Sequence, residues 1–285
     1  MSDVSSLQTG QPLPEIRATT CVIRNTAARP GRTISVMPGV TAARYLHYGR
    51  IILSGSDAPL TVDPGTLETG LICVVGEATV VAGGTRHGMV PYDALYVPRM
   101  TPFEVTPGPG GCDLVEIAAP VGESYPLQFV RFADVQKDPG LHFSAGSDAA
   151  RRDLNILLGK NVKAGRLMAG ITFSQPGNWT SWPPHEHGVL AEEAYLYLAM
   201  PHPAFGVQLV YANDTDPELA TIVRDGDIVL MPQGYHPNVA APGHSINFIW
   251  MMAASRELVD RQFGVVNVHP DFGGTASGLD KGRAR

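Results

Sequence analysis

No run of lysine or arginine interrupts these 285 residues, which set 21 basic side chains against 27 acidic ones for a formal net charge of −6. A chain without a basic stripe has no electrostatic footprint for a phosphate backbone, which argues against nucleic acid as a partner. Cysteine is also scarce. Cys21, Cys73 and Cys112 stand far apart and form no CxxC pair, so neither a disulfide framework nor a cysteine metal knuckle is indicated. Each lies in or near an apolar stretch and reads as a buried, inert thiol. No segment approaches the ~20 apolar residues of a membrane span. The start, MSDVSSLQTGQPLPEI, lacks the basic-then-apolar order of a secretory leader. Cytoplasm is therefore the expected location, without a membrane partner.

Helical periodicity is equally thin. Only residues 149–158 and 255–263 offer short 3.6-period stretches. What is abundant is punctuation: 31 glycines and 24 prolines divide the chain into short apolar runs such as 70–75, 194–199 and 245–253. Valine, isoleucine, tyrosine and phenylalanine are frequent within them. Many short strands between turn residues indicate an all-β sandwich or barrel, not alternating βα units.

A faint internal repeat points to two copies of one barrel. The first copy reads PYDALYVPRMTPFEV from residue 91, and the second RDGDIVLMPQGYHPNV from residue 224. Asp93 precedes Pro98 by five residues, as Asp227 precedes Pro232. In each an acidic turn leads into a short apolar strand that a proline ends. Four residues beyond that proline stands Pro102 in one copy and His236 in the other. The polar, turn-rich stretch 132–147 is the natural connection. The expected division is residues 1–135, an amino-terminal half without the ligand, and 136–285, a metal-binding half.

The sharpest local signal is PPHEH at residues 183–187. On a strand, positions i and i+2 share a face, so His185 and His187 can both point into a barrel interior. Glu192 and Glu193 follow, at the start of an apolar and aromatic strand. Glu193 directly abuts that strand and is the expected third ligand, with Glu192 on the opposite side. His236 completes the set from the turn after Pro232. Three imidazoles and a carboxylate suit Zn²⁺, Fe²⁺, Mn²⁺ or Ni²⁺ and leave one or two positions for water or substrate. That open sphere is what a Lewis-acid or redox catalyst needs.

HxH, then glutamate, then GDxxxxPxG with a histidine close behind resembles the two motifs of the cupin superfamily. Here only Tyr235 separates that glycine from the histidine, where the usual motif has two residues. Within the cupins, GNWTSWPPHEH (177–187), EEAYLY (192–197), FGVQLVY (205–211) and GDIVLMPQGYHPNVAAPGH (226–244) resemble a family of two-barrel sugar isomerases. That family includes 5-deoxy-glucuronate isomerase of inositol breakdown and 5-keto-4-deoxyuronate isomerase of pectin breakdown. ARRDLNILL (150–158) and DALYV (93–97) extend the likeness.

The resemblance implies a bicupin of two jelly-roll barrels. The second would hold a divalent metal, zinc first and Mn²⁺ or Fe²⁺ next, on His185, His187, Glu193 and His236. It implies aldose–ketose isomerisation of a uronic-acid-type sugar, with 5-deoxy-glucuronate first and 5-keto-4-deoxyuronate second. A metal-dependent oxygenase or decarboxylase is the alternative chemistry for the same ligands. Isomerisation moves a proton between adjacent carbons and requires an acid/base group; Glu192 and Tyr235 are the candidates. Gln208, Tyr197 and Trp182 are candidate contacts for sugar hydroxyls. A uronate carboxylate calls for a cationic clamp, which Arg152, Lys160, Lys163 or Arg166 could supply. A homo-oligomer is the accompanying expectation.

Overall fold

The computed structural model describes residues 13–273; most of the amino-terminal stretch read above for a leader lies outside the described residues. The described residues are all-β apart from four-residue helical turns at Ala18–Cys21 and Phe132–Val135 and three-residue 3-10 turns at Asp148–Ala150 and Pro270–Phe272. Among the described residues no helix is long and apolar enough to cross a membrane. The two stretches with helical period are corrected. Arg152–Leu158 is a strand, buried at six of its seven positions, and a run apolar on both faces carries no period that separates strand from helix. Residues 255–263 form turns closed by the Arg256–Asp260 ion pair.

Two large antiparallel sheets repeat one strand order. In the first it runs Gly31–Val36, His47–Leu53, Phe103–Pro120, Leu67–Ala82, Ala94–Val97, Gln128–Val130. In the second it runs Arg152–Leu158, Leu167–Ser174, Phe248–Ala254, Ala191–Tyr197, Ile228–Met231, Val22–Ile23, with His142–Ala145 added beyond Arg152–Leu158. The last strand of the second order comes from the start of the chain. Val22 pairs with Val229 and Ile23 with Ile228, so the amino-terminal segment completes the edge of the other half's sheet. Asp227 holds this edge, accepting from Arg24 Nη1 at 2.7 Å and from Asn25 N at 3.0 Å.

One apolar cluster runs continuously between the sheets, joining Ile72, Ile117 and Tyr48 of the first to Leu196, Ile156 and Ile171 of the second. Strand alternation divides each strand between this shared core and its own half's interior. Gly70 marks how closely the sheets approach: a Cβ there would lie 2.7 Å from Leu158 Cδ1. The interior of the first half is filled by Ile51, Leu71, Cys73, Val80, Leu95 and Phe103. All three cysteines are buried free thiols, and burial pushes Cys73 up to about 12, which keeps it inert at neutral pH.

Two buried carboxylates tie the halves together reciprocally. Glu68, on Leu67–Ala82, accepts from the backbone N–H of Gly165, Arg166 and Leu167 at 2.6–2.8 Å and from Tyr96 Oη at 2.7 Å. Glu192, on Ala191–Tyr197, accepts from the N–H of Arg44, Tyr45 and Leu46 at 2.6–2.7 Å. Each therefore grips the loop that opens the other half's second strand.

Candidate metal centre

Ala191–Tyr197 pairs with Ile228–Met231 on one side and Phe248–Ala254 on the other, and all seven of its residues are buried. Its alternation sends Glu192 toward the first half and Glu193 and Tyr195 into the interior of the second. A short pairing of His185–Glu186 with Asn267–Val268 presents the histidine segment. Gly234 shapes the turn before His236. Its φ of +84° and the Tyr211 oxygen, 2.6 Å from where a Cβ would stand, leave room for no side chain. Backbone bonds of 2.8 and 2.9 Å between Tyr211 and Tyr235 then lock the next residue.

The three imidazoles converge. One ring nitrogen from each of His185, His187 and His236 lies within 4.8 Å of the others, and Glu193 Oε2 is 3.0 Å from Nε2 of both His187 and His236. His185 Nδ1 is 2.9 Å from the Pro183 oxygen and His236 Nδ1 is 3.0 Å from the Gly234 oxygen. A carbonyl only accepts, so each Nδ1 carries the proton and each Nε2 presents a lone pair, the usual arrangement behind a metal-ligating histidine. His236 Nε2 is fully buried and makes no hydrogen bond. Two lone-pair atoms, that nitrogen and a carboxylate oxygen, face each other at 3.0 Å. Such a contact is repulsive without a cation to share, so the donor set fits a divalent metal.

The electrostatics point the same way. Burial depresses His185, and the neighbouring His236 and His187 add to it, keeping the ring neutral. Burial alone would raise Glu193, but His187 and His236 together outweigh it and hold the carboxyl well below its ordinary range. At neutral pH the Glu193 carboxyl is thus ionised and the His185 ring neutral.

A cavity opens over these ligands. Its wall includes Arg152, Thr172, Ser181, Tyr195 and Trp250, together with Phe263, Gly264 and Val266. Tyr195 Oη is 2.7 Å from Ser181 Oγ, and its ring stacks on Phe248 at 4.1 Å and stands 5.8 Å from His236. Burial raises Tyr195 well above the usual phenol value, with the Glu193 charge adding to it, so this hydroxyl keeps its proton.

Several expected contacts lie elsewhere. Glu192 is corrected: both its oxygens are engaged by main-chain N–H groups of the first half, and it faces away from the cavity. Tyr235 is outside the cavity wall, its ring against His269 at 4.8 Å and Tyr211 at 5.6 Å. Tyr197 donates to Gln208 Oε1, and Gln208 Nε2 donates to the His236 oxygen at 2.9 Å. These two brace His236 from behind and do not line the cavity. Trp182 packs between Trp179 and Phe272 at 5.1 and 5.0 Å. Tyr195 was overlooked, although its place two residues past Glu193 on one strand put it on the same face.

A second group, Asp214, His269 and Asp271, also clusters. His269 is already engaged there: its Nδ1 accepts from Asp271 N at 3.3 Å, and Nε2 is 3.5 Å from Asp214.

Comparison with known proteins gives a consistent picture. The sequence profile of the KduI/IolB family matches residues 22–268. A 5-deoxy-glucuronate isomerase of Geobacillus kaustophilus (strain HTA426) is 33% identical over 243 residues, covering 78% of this chain and 84% of that enzyme. The enzyme of the same name from Shouchella clausii (strain KSM-K16) is 28% identical over 206 residues, 66% of this chain and 74% of its own. Among solved structures, an IolB-like protein from Salmonella typhimurium superposes with a TM-score of 0.78 at 20% identity, over 89% of this chain and 98% of that one. Oxalate decarboxylase of Bacillus subtilis reaches 0.61 at 10% identity, over 87% and 80%; at that identity the likeness is one of fold. A cupin 2 conserved barrel domain protein from Leptotrichia buccalis reaches 0.51 at 12% identity, over 85% and 100%.

Proposed function

The chain belongs to the KduI/IolB family and is a sugar isomerase, and from that premise we propose that it converts 5-deoxy-glucuronate between its aldose and ketose forms with the help of a divalent metal. The observation behind the metal is the convergence of three imidazole nitrogens, with the His236 lone pair facing Glu193 Oε2 at 3.0 Å. The substrate follows from the relatives that are 5-deoxy-glucuronate isomerases. In this reading the two halves, residues 1–135 and 136–285 with the strand Val22–Ile23 exchanged into the second, are jelly-roll barrels of a bicupin, and only the second is catalytic. The enzyme acts in inositol catabolism, in the cytoplasm, as a homo-oligomer.

His185, His187, Glu193 and His236 would hold the ion, with zinc first and Mn²⁺ or Fe²⁺ next. When bound, it would act as a Lewis acid on the adjacent carbonyl and hydroxyl oxygens of the sugar. The chain's own residues do the rest. Tyr195 and Ser181 present hydrogen-bonded hydroxyls on the cavity wall. As hydroxyls that keep their protons they can serve as the acid, donating to the sugar oxygen on which charge develops, a role in which they replace Glu192 and Tyr235. Phe248 and Trp250 keep the wall apolar, and Phe263 and Val266 shield the reacting carbons from water. Gln208, by holding the His236 carbonyl, keeps that ring aimed inward.

The test is direct. Purified protein is assayed on 5-deoxy-glucuronate and on 5-keto-4-deoxyuronate, with elemental analysis and an oxygen electrode alongside. Turnover of the first, about one metal per chain and no oxygen uptake are expected. Preference for the second sugar acid would move the substrate to the pectin pathway. Oxygen consumption without isomerisation would overturn the reading in favour of oxygenase chemistry.

A further inference from the structure

Taking the sugar-acid reading as given, we propose that Arg152 is the anchor for the substrate's carboxylate, a specificity residue in the wall of the cavity that His185, His187 and Glu193 also line. Arg152 opens the strand Arg152–Leu158, and Leu154, two residues on, lines the same cavity. Alternation therefore aims the guanidinium inward. The side chain is only 2% exposed. Its orientation is built, not incidental. Nη1 donates to the Ala150 oxygen at 3.0 Å and Nη2 to the Trp182 oxygen at 2.9 Å. Trp182 stands three residues before His185, so the backbone segment that delivers a ligand histidine also grips the cation. The turn at Gly146 wraps just as closely: with φ at +79°, a Cβ there would lie 2.6 Å from Arg152 Nη1 and 2.0 Å from the Ala150 oxygen.

The other cations near in sequence serve elsewhere. Arg166 donates to the Pro120 and Ala254 oxygens, both at 2.7 Å, and lies 4.5 Å over the Tyr45 ring at the junction of the halves. Lys163 is exposed, and Lys160 lines a separate recess with Arg261. Of the four candidates, Arg152 is the one in the wall of the metal cavity.

A planar guanidinium held by backbone acceptors meets a carboxylate through two parallel bonds with little rotamer freedom left to lose. A neutral sugar of the same size cannot exploit it. Arg152 thus converts a general polyol cavity into one selective for sugar acids.

The experiment is calorimetric binding of D-glucuronate and D-glucose to the zinc-loaded full-length chain and to Arg152→Gln and Arg152→Lys, with zinc content measured on each. The wild type should prefer glucuronate. Both substitutions should weaken glucuronate by about 10- to 100-fold, the worth of a charge-assisted pair, leave glucose binding unchanged and keep the zinc. If Arg152→Gln fails to fold, Arg152→Lys decides alone, because it keeps the charge but loses the fork. A variant that retains both zinc and the full glucuronate preference overturns the assignment. Isomerase kinetics separate this result from the functional reading. Arg152-dependent glucuronate binding by a chain that isomerises neither sugar acid would refute the isomerase and leave the anchor standing. Full turnover with unchanged KM in Arg152→Lys would do the opposite.

Discussion

Thr69 and Glu193 occupy the same place in the two halves: Thr69 pairs with Val97 and Ala118, Glu193 with Met231 and Met252. From that position the strands run in parallel but differ in content. Leu71 and Cys73 of the first half correspond to Tyr195 and Tyr197 of the second. Leu71 and Cys73 belong to a wholly apolar interior, where each large side chain contributes about 1.5–3 kcal/mol by its burial. The second interior instead buries two imidazoles and a carboxylate, with a third imidazole half-buried beside them, groups that cost stability unless something pairs with them. The neighbouring positions, Glu68 and Glu192, are identical and do the same work. The lesson is that one frame supports both a packed interior and one lined with candidate metal ligands. What both halves keep belongs to the frame.

The contrast breaks most completely at the ligands. His236→Ala should lose metal and isomerase activity together, the latter by more than about 10³-fold, because several kcal/mol of Lewis-acid stabilisation leaves with the ion. Elemental analysis should then find almost no metal per chain. A full equivalent retained would mean that another site, such as one in the first half, had held it all along.

A smaller effect is expected at the next inward position. Tyr195→Phe should keep the metal and lower turnover by about 10²–10⁴-fold, the range of a general acid/base. At the matching position, Leu71→Met should leave turnover alone and change stability by less than about 1.5 kcal/mol. Steady-state kinetics beside urea unfolding would separate the two. Equal turnover in Tyr195→Phe and wild type would remove Tyr195 from the proton path.

The smallest effect sharpens the comparison through the shared glutamates. Glu68→Gln and Glu192→Gln should each cost about 1.5–3 kcal/mol, since a buried charge bonded to three main-chain donors becomes a neutral amide. Neither should lose metal, and turnover should stay near wild type. A large drop in turnover for Glu192→Gln with unchanged stability would restore Glu192 as the acid/base.

Much of the site was legible from spacing. His185 and His187 share a face through alternation, Glu193 was separable from Glu192 by the same rule, and His236 stood out because Pro102 holds its place in the first copy. The rule reached further than it was taken, since Tyr195 follows from Glu193 by one more step of two. Other features had no local signature. The donors to Glu192 are 146–148 residues away, so nothing beside it in the chain marks it as a tie between halves. The exchange of Val22–Ile23 into the second sheet is likewise a pairing across some 200 residues.

By itself the sequence determined the strand-rich class and set three histidines and a glutamate at strand spacing, because a strand's period of two and the donor atoms of histidine and glutamate are properties of the residues. Tertiary structure decided which of four cations faces the cavity, why Tyr197 and Gln208 stand behind His236, and how each half holds the other. Those outcomes depend on which distant backbone N–H or carbonyl arrives beside a side chain. That is a matter of long-range packing, and a polar group in a buried interior must accept whichever partner the packing brings.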